Sequence, residues 1–582
     1  LVIHVWELPE KPGDPLKPLK DITGHTAPVT CLEPILAGHQ LLSGSEDKTV
    51  KHWAIDQGNR LIKSMEASGP VTALAVSPEG KNVAAASGNA ARVWSGDQRK
   101  VVADIKGDHR AVAAEAKAIL EADFATREVA YWKTALEAAT KAQPTRADAV
   151  KKATEALKAA ENAAKDKIAA VEKAADEKSK NAAAALKTPE AAAKEKTEDV
   201  QKAATARGAA KVALAAAEDL LKQADQTLAE AKTGLEKATE AEKAAKTAAE
   251  QAHKAVAESE KPIRALAFAP NGLALATAGD SGAIQTWSVE TGAGFDTFPG
   301  DIGAVEAVAY TPDCRLVSAT AKKAAVVWRS GPVWTLARTI GTGDEKSPLV
   351  SRVLALDFSP DGKWIATGGG APSRNGEVKI WKTSDGSLIR EVTPSHSDSV
   401  YGLDFSPNGK MLATASADKF VKIFDPATGK LIKALSGHTH YVLGVSWRAD
   451  GRLLASCGAD KAVKLWSYPA GEQLKTVEGF QKEVTSVRFV GLGNELLTTS
   501  GDTKVRLLKE DGSTARDFGG SKGFILAAAV TPDGQVVLGG GQDSILRIWN
   551  GPTAKTLFTL DPPAPEVEVK GAPATATPKP AK

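Results

Sequence analysis

Short runs in which apolar and polar residues alternate fill most of this chain, and turn-forming residues separate the runs. The clearest example is residues 437–466, in which three alternating runs end at Trp447, Ser456 and Trp466, with Asp- and Gly-containing turns between them. An alternation with a period of two is typical of strands with one buried face, and such turns favour hairpins. The pattern therefore predicts a β-meander.

The same unit recurs along the chain at intervals of about 42 residues, the spacing that is typical of four-stranded propeller blades. Its predicted first strands begin at Val29, Val71, Ile263, Val305, Val353, Val400, Val442, Val484 and Ile525. The third and fourth strands of a further blade are predicted between residues 2 and 22. Half a blade leaves an unpaired sheet edge, so we expect more chain upstream of Leu1.

Three features of the unit carry a family resemblance. Gly437-His438 stands at its head, Asp460 lies in the turn before the third strand, and Trp466 follows that Asp by six residues. This pattern resembles the WD-repeat family and covers essentially everything except residues 107–260 and the tail. The resemblance implies β-propeller folding, and it implies binding of proteins or peptides on the face that carries the loops from fourth to first strands.

Four polar residue types in the unit can also join in one hydrogen-bonded chain that ties the outer strand of one blade to the inner strands of the next. The two complete sets are His25, Ser43, Asp47 and Trp53, and His438, Ser456, Asp460 and Trp466. His, Ser and Asp also suit a hydrolase. Because the sets recur at the structural period, we interpret them as structural, and we predict no catalytic residues.

Between the second and third complete units the composition changes to Ala, Lys and Glu, which are strong helix formers. Leucines recur every seven residues from Leu214 to Leu235, and alanines recur every seven residues from Ala210 to Ala252. This heptad pattern predicts an antiparallel helical hairpin, a coiled coil with its turn near 187–189. Pro144 should kink or break the outgoing helix. A disordered charged linker or a membrane-surface helix are the alternatives.

The predicted fold class is therefore mainly β with a large α insertion. The expected divisions are residues 1–106 as a half blade plus two blades, 107–261 as the hairpin, 262–560 as seven blades in a closed ring, and 561–582 as a disordered Pro/Ala-rich tail. The alternative is one larger propeller in which the hairpin is a loop insertion.

The composition and the absence of certain motifs argue against several classes of function. A formal net charge of +3 provides no general attraction to nucleic acid, and no apolar run is long enough to span a membrane. Cys31, Cys314 and Cys457 have no metal-binding spacing, and we interpret them as buried thiols. Phosphate-binding and metalloprotease motifs are absent from the sequence. We therefore expect no cofactor or metal in this chain.

A finer resemblance lies between Val353 and Trp549, in phrases such as SRVLALDFSPDGKWIATGGG and EVTSVRFVG. They look like bacterial WD-repeat proteins that often carry an N-terminal c-type cytochrome domain. The resemblance implies a bacterial periplasm or cell envelope rather than the cytoplasm. This chain has no C-x-x-C-H motif, so any haem would lie upstream or on a partner.

The predicted function is a non-enzymatic protein-interaction scaffold, in which the propeller face binds a protein partner and the coiled coil mediates assembly, including homo-oligomers, or spacing. The alternatives are a module of a c-type cytochrome electron-transfer protein and a propeller enzyme. Candidate binding residues lie near the entries to first strands: Arg352, Tyr401, Tyr441, Lys482 and Phe524. Exposed aromatic and arginine residues are common hot spots, although the tyrosines can instead simply pack the blade tops.

Overall fold

The computed structural model divides the chain into two compact units, Leu1–Trp328 and Arg329–Lys582. It describes residues 2–7, 16–19, 21–35, 39–55, 59–95, 100–181, 190–298, 303–320, 325–329, 336–341 and 347–562. The side chains of Glu7, 174–181 and 190–197 are not among those described. The predicted hairpin turn near 187–189 and the tail beyond residue 562 also lie outside the described residues.

The first unit contains two short ladders and then four sheets, which we call blades 1 to 4. The ladders pair Val2–Ile3 with Ile22–Thr23 and Trp6–Glu7 with Lys17–Pro18. Blade 1 is Val29–Ile35, Gln40–Ser45, Thr49–Ala54 and Arg60–Glu66. Blade 2 is Val71–Val76, Asn82–Ser87, Ala90–Ser95 and Lys100–Lys106. Blade 3 is Ile263–Phe268, Ala274–Gly279, Ile284–Ser288 and Gly294–Phe298, and the described strands of blade 4 are Val305–Tyr310, Leu316–Thr320 and Ala325–Trp328.

The second unit contains blades 5 to 9. Blade 5 is Val353–Phe358, Trp364–Ala371, Asn375–Lys382 and Leu388–Glu391. Blade 6 is Val400–Phe405, Leu412–Ser416, Val421–Phe424 and Leu431–Leu435, and blade 7 is Val442–Trp447, Leu453–Gly458, Val463–Ser467 and Gln473–Val477. Blade 8 is Val484–Phe489, Leu496–Ser500, Val505–Leu508 and Thr514–Phe518, and blade 9 is Ile525–Val530, Val536–Gly541, Leu546–Asn550 and Thr556–Leu560.

Each four-stranded blade is an antiparallel meander in chain order, as the alternating pattern predicts. Within each unit, the first strands of consecutive blades lie side by side. The first strands share a bulge at their second residue, for example Tyr401 in blade 6 and Thr485 in blade 8. A bulge leaves that residue unpaired within its own sheet. Its side chain is therefore available to the next blade, and Thr485 Oγ1 donates to Ile525 O at 2.7 Å.

The large side chain near the end of each third strand fills the space between its own blade and the preceding one. Trp94 packs into the core of blade 1, and Trp287 packs into the core of blade 2. In the second unit Trp466 packs against blade 6, and Trp549 packs against blade 8. The core therefore lies mainly between blades, and no blade completes its core alone.

Blades 2 and 3 share one core although the helical insert separates them in sequence. Leu266, Phe268 and Trp287 of blade 3 pack with Val93 and Ile105 of blade 2. The backbones also meet, because Ile263 N donates to Gly88 O at 2.7 Å. The boundary expected at residue 106 therefore does not separate two cores in this unit. Closure of residues 262–560 into a seven-bladed ring stays a prediction.

The insert forms two long helices, α1 (His109–Asn181) and α2 (Glu190–Ser259), which pack together. The least exposed side chains on α2 follow the predicted three-four spacing. They include Ala210, Leu214, Ala217, Leu221, Ala224, Leu228, Ala231, Leu235, Ala238, Ala245 and Ala252. An amphipathic face with this period is buried because it lies against a partner helix.

Polar contacts between α1 and α2 fix an antiparallel register. They are Glu115 with His253, Thr126 with Glu242, Gln143 with Asp225, Glu161 with Arg207 and Lys167 with Asp199. The two residue numbers add up to the same value in the first four pairs. The two helices therefore keep one register over most of their described length.

The expected break at Pro144 does not occur, because Pro144 lies inside the continuous helix α1, while a kink at this residue stays a prediction. The register is the same at Gln143 and at Glu161, on either side of the proline. Proline removes one backbone hydrogen bond and crowds the preceding turn. Packing against α2 over many turns stabilises the helical path through that defect.

One other local expectation also differs from the structure. The three cysteines are free thiols, yet only Cys457 is buried, while Cys31 is half-buried and Cys314 is exposed. Burial raises the pKa of the Cys457 thiol.

The two glycines of α2 give a matched test of the helical packing. A Cβ at Gly234 would lie 2.4 Å from Cδ2 of the Trp132 ring, whereas a Cβ at Gly208 would meet nothing within 4 Å. Alanine is more favourable than glycine in a helix by about 0.8 kcal/mol. We expect Gly208→Ala to raise the thermal midpoint of the helical signal, and Gly234→Ala to lower it because the Trp132 ring must move.

Thermal melting of the full chain at 222 nm measures both effects. Equal stabilisation by the two alanines would show that Trp132 does not pack over Gly234.

Candidate functional site

The candidate site lies at one edge of the blades, which we call the entry edge. At this edge the segment that enters each first strand meets the turn between the second and third strands of the same blade. The turn N–H donates to a carbonyl just before the first strand: Ala417 to Ser399, Ala459 to Tyr441, Gly501 to Glu483 and Gln542 to Phe524, at 2.8 to 2.9 Å. These contacts give corresponding positions in blades 6 to 9.

In blade 1 the structure brings His25, Ser43, Asp47 and Trp53 together. His25 Nδ1 lies 2.8 Å from Asp47 Oδ2, and His25 Nε2 lies 2.7 Å from Ser43 Oγ. The Trp53 indole N–H donates to Ser43 Oγ at 2.8 Å. The chain of contacts joins the entry segment, which follows the preceding outer strand, to the second and third strands of blade 1.

Blade 7 repeats this geometry with His438, Ser456, Asp460 and Trp466. The corresponding distances are 2.8 Å from His438 to Asp460, 2.8 Å from His438 to Ser456, and 2.8 Å from Trp466 to Ser456. Burial alone would raise the pKa of Asp460. Hydrogen bonds from His438 and from the Thr439 N–H instead hold the pKa of Asp460 below its usual value.

Blade 6 has the same histidine contacts but lacks the indole. His396 contacts Asp418 at 2.8 Å and Thr414 Oγ1 at 2.6 Å, while Phe424 occupies the tryptophan position. Burial lowers the pKa of His396, although Asp418 opposes this effect. Burial therefore favours the neutral form of this imidazole.

Three blades without the histidine use ion pairs at the same edge. In blade 5, Glu377 pairs with Lys379, and its carboxylate accepts from the N–H groups of Val350 and Ser351 at 3.3 and 3.1 Å. In blade 8, Arg506 donates to both oxygens of Asp502 at 3.0 and 2.8 Å. In blade 9, Arg547 pairs with Asp543 at 2.7 Å.

Sequence reasoning missed the position two residues before each third-strand aromatic, which is usually basic. Lys51 donates to Gly24 O at 2.5 Å, Lys379 donates to Pro348 O at 2.5 Å, and Lys422 donates to Ser395 O at 2.6 Å. Each lysine thereby holds the entry segment of its own blade. The signal is visible in the phrases VKHW, VKIW and VKIF, where a lysine precedes the aromatic residue by two positions.

The His/Ser/Asp sets do not have the form of a hydrolytic site. Ser43 and Ser456 are fully buried, and each hydroxyl is already engaged by a histidine and an indole. A nucleophile must reach the substrate carbonyl, and these hydroxyls cannot do so without opening the blade. The sets therefore act as structural links in this conformation.

The five candidate binding residues fall into three kinds of position. Arg352, Tyr441 and Phe524 directly precede their first strands, so they occupy corresponding places, together with Ser399 and Glu483. Arg352 and Tyr441 are exposed, and Phe524 is half-buried. Tyr401 instead is the half-buried bulge residue at the second position of its first strand.

Lys482 lies one residue before the corresponding position, in the entry segment of blade 8, and is exposed. Its ammonium group lies 4.5 Å from the centroid of the Phe524 ring of blade 9. His440 and Tyr441 of blade 7 also contact each other, with ring centroids 4.5 Å apart. The structure therefore brings cationic and aromatic groups together along the entry edge.

Within the described ranges, no group of three or more His, Cys, Asp or Glu side chains is arranged to hold a metal ion. Neither α1 nor α2, in its described part, has the apolar stretch that a membrane crossing requires. The sequence reasoning also missed a pair of half-buried acids. Asp357 and Asp404 lie on neighbouring first strands of the second unit and accept from Phe405 N at 2.8 Å and Trp447 N at 2.5 Å.

Six segments of the chain match the family model described as "WD domain, G-beta repeat". They are residues 16–54, 59–95, 345–382, 386–425, 429–467 and 512–550. The matches cover the first three strands of blades 1, 2, 5, 6, 7 and 9 and the fourth strands of blades 1, 5, 6 and 8. These six segments are similar to WD repeats, in agreement with the resemblance seen in the sequence.

Two curated relatives match shorter stretches. Periodic tryptophan protein 2 of Saccharomyces cerevisiae is 37% identical over 82 residues, which is 14% of this chain and 8% of that protein. Protein LST8 homolog of Drosophila melanogaster is 29% identical over 139 residues, which is 24% of this chain and 43% of that protein. The matched stretches span less than half the length of these relatives.

Among solved structures, the crystal structure of RRP9 WD40 repeats matches 36% of this chain and 64% of that chain, with 22% identity and a TM-score of 0.34. Both curated relatives are eukaryotic. The expected likeness to bacterial proteins with a cytochrome domain therefore stays a prediction.

The hydroxyl at the centre of the hydrogen-bonded set in blade 7 has two side-chain partners, whereas its counterpart in blade 6 has one side-chain partner and donates to the backbone of Lys422 at 3.2 Å. Ser456→Ala leaves both His438 Nε2 and Trp466 Nε1 without their partner, whereas Thr414→Val leaves one side-chain nitrogen, His396 Nε2, without its partner. An unsatisfied buried polar group costs about 1–3 kcal/mol. We expect Ser456→Ala to lower the free energy of unfolding by about 2–3 kcal/mol and Thr414→Val by roughly half as much.

Urea unfolding followed by tryptophan fluorescence measures both losses. Equal losses in the two variants would contradict the role of the indole N–H.

The positions of Asp357 and Asp404 on neighbouring first strands predict that the stability of the fold depends on pH. Burial raises the pKa of Asp404 to about 7, and the charge of Asp357 adds to this effect. An unfolded aspartate has a pKa of about 3.9, so the folded state retains a proton between roughly pH 4 and 7. The contribution of Asp404 to stability is therefore lost as pH rises through this window.

We expect Asp404→Asn to remove part of the loss of stability between pH 5 and pH 8, measured as the urea midpoint. The exposed Asp361 is a matched control, since its pKa is already lowered by hydrogen bonds from Ser359 and the Lys363 N–H. An Asp361→Asn variant should keep the wild-type dependence. Identical pH profiles for wild type and Asp404→Asn would disprove the assignment.

Proposed function

We propose that this chain of WD repeats is a non-enzymatic protein-interaction scaffold. One observation supports the proposal most strongly. The His, Ser and Asp side chains that suit catalysis are buried and hydrogen-bonded to one another. WD repeats generally mediate protein–protein interactions. A rigid series of blades with an exposed edge is well suited to display binding residues.

The binding surface in this proposal is the entry edge of blades 7 to 9. Tyr441 is exposed, and the ammonium of Lys482 lies above the ring of Phe524. Amphipathic and aromatic side chains of this kind supply most of the energy in protein interfaces. Arg352 extends the same surface at blade 5, while Tyr401 contributes to packing between blades.

We further propose that the coiled-coil hairpin of α1 and α2 mediates assembly. Its seam consists mainly of alanine, which buries little area, and its outer faces still carry exposed apolar residues such as Val212 and Leu220. A second helical surface would cover these residues. A spacer role is the alternative, since α1 and α2 are long helices of 73 and 70 residues.

In this proposal the hairpin is an insertion between blades 2 and 3 of the first unit. Lys106 and Glu260 form an ion pair of 3.0 Å, which brings the two ends of the insert together. Blades 2 and 3 then pack directly on each other, as the shared core of Phe268 and Val93 indicates. The periplasmic location and the cytochrome association predicted from the finer resemblance have no support from the relatives.

Deletion of residues 110–258 tests the assembly role. The flanking ends already meet, so we expect both groups of blades to remain folded, with an unchanged β signal in circular dichroism. The mass in solution should fall from an oligomer to a monomer, measured by light scattering after size-exclusion chromatography over a tenfold range of concentration.

The variant Gly208→Ala, which adds a methyl group in open space on α2, serves as a folded control that keeps the arm. If the deleted protein and the control both form the same oligomer, the arm does not mediate assembly and acts as a spacer.

A further inference from the structure

The entry edge of blades 6 to 9 carries a series of exposed lysines. Lys419 and Lys461 lie in the turns between second and third strands, next to the structural Asp418 and Asp460. Lys482 and Lys522 lie in the entry segments of blades 8 and 9. Because the turns and the entry segments meet at this edge, the four ammonium groups belong to one surface.

Three acidic side chains in the turns of the same edge face inward. The side chains of Asp418 and Asp460 are both 6% exposed, and that of Asp502 is 5% exposed. The first two contact histidines, and the third is held by the guanidinium of Arg506. Their negative charge is therefore engaged in contacts within the blades, while the positive charge of the lysines faces solvent.

At the other edge of the same unit, several basic groups are paired with acids: Arg448 contacts Asp450 at 2.6 Å and Glu510 at 2.9 Å, and Lys382 contacts Asp385 at 3.0 Å. Within the described part of the chain, Lys419, Lys461, Lys482 and Lys522 form no ion pair. A distribution of this kind leaves the entry edge with unpaired positive charge.

Two of the lysines occupy backbone positions that favour other residues. Lys419 has φ 74° and Lys461 has φ 63°, in the left-handed region that Gly and Asn adopt most readily. The corresponding residues in blades 8 and 9 are Thr503 and Ser544. Local turn formation therefore does not require lysine here, and the left-handed turn projects a charged side chain from the edge.

Apolar contact area lies beside these charges. Tyr441 is 42% exposed and Phe420 is 39% exposed, and each is close in sequence to a lysine or histidine of the edge. Lys482 lies over the Phe524 ring of the neighbouring blade. A ligand that places carboxylates near the lysines can therefore also place apolar side chains on the aromatic rings.

We infer that the entry edge of blades 6 to 9 binds an acidic peptide segment in which Asp or Glu alternates with apolar residues. This inference rests on the proposed function and names the chemistry of its partner. A peptide fits better than a nucleic acid because the lysines are spread singly over four blades, each near a buried carboxylate. Recognition of a phosphate backbone uses a dense basic surface.

The test uses the full chain and a fluorescein-labelled octapeptide of alternating glutamate and leucine, with binding measured by fluorescence anisotropy. We expect the double variant Lys461→Glu/Lys482→Glu to lose at least tenfold in affinity. The matched control is Lys410→Glu/Lys430→Glu, which reverses two exposed lysines on the opposite edge of blade 6 and should stay within twofold of wild type. The affinity of the wild type should also fall as salt rises.

The competing outcomes separate the two proposals. An alternating lysine–leucine peptide that binds as tightly as the acidic one would overturn the acidic preference but leave the scaffold proposal standing. An equal loss in the control variant would overturn the assignment to the entry edge. Binding of a single-stranded oligonucleotide in place of the peptide would overturn the partner class, and binding of no peptide of either charge would count against both proposals.

Discussion

The fold depends on the large side chain that each third strand inserts between its own blade and the preceding blade. Trp94, Trp287, Trp466 and Trp549 all lie in cores that two blades share. Truncation of such a side chain to alanine typically costs about 3–5 kcal/mol. Because each of these contacts joins a blade to the one before it, the blades within each unit form a series with one common orientation. The entry edges are therefore aligned, and a surface can extend over several blades.

The polar chemistry of the entry edge varies more than its geometry. A His–Asp contact in blades 1, 6 and 7, a Glu–Lys pair in blade 5 and Asp–Arg pairs in blades 8 and 9 occupy similar places. Each supplies a carboxylate near the N–H groups of the entry segment, which has few partners within the sheet. Selection for that link, rather than for one residue type, explains why the Gly-His and Asp positions are incomplete in several repeats.

The sequence predicted the structure best where one hydrophobic repeat, of two residues or of seven, continued over many residues. The alternating runs predicted the meanders, and the heptads predicted which face of α2 is buried, from Ala210 to Ala252. Local rules failed where distant packing opposes them. Pro144 should break an isolated helix, but α2 stabilises α1 on both sides of it. The shared core of blades 2 and 3 joins residues nearly two hundred positions apart in sequence, for example Thr72 and Ile263, and no local pattern reports such a contact.

The position of the hairpin within the repeat follows from residue His109. In blades 1 and 7 the head of the repeat is Gly24-His25 and Gly437-His438, and the histidine lies a few residues before the first strand. The corresponding segment before blade 3 is Gly107-Asp108-His109, after which the helix begins.

The contacts of His109 agree with this correspondence. Its ring lies 5.1 Å from that of Trp287, compared with 6.3 Å for His25 and Trp53 in blade 1. Its N–H donates to Gln285, which is two residues before Trp287 and so takes the place of the entry-segment lysines. The insertion therefore separates the head of one repeat from its first strand. Because blade 3 still binds that head, the base of α1 is anchored to the blade, and Arg110 adds an ion pair with Asp296 at 2.7 Å.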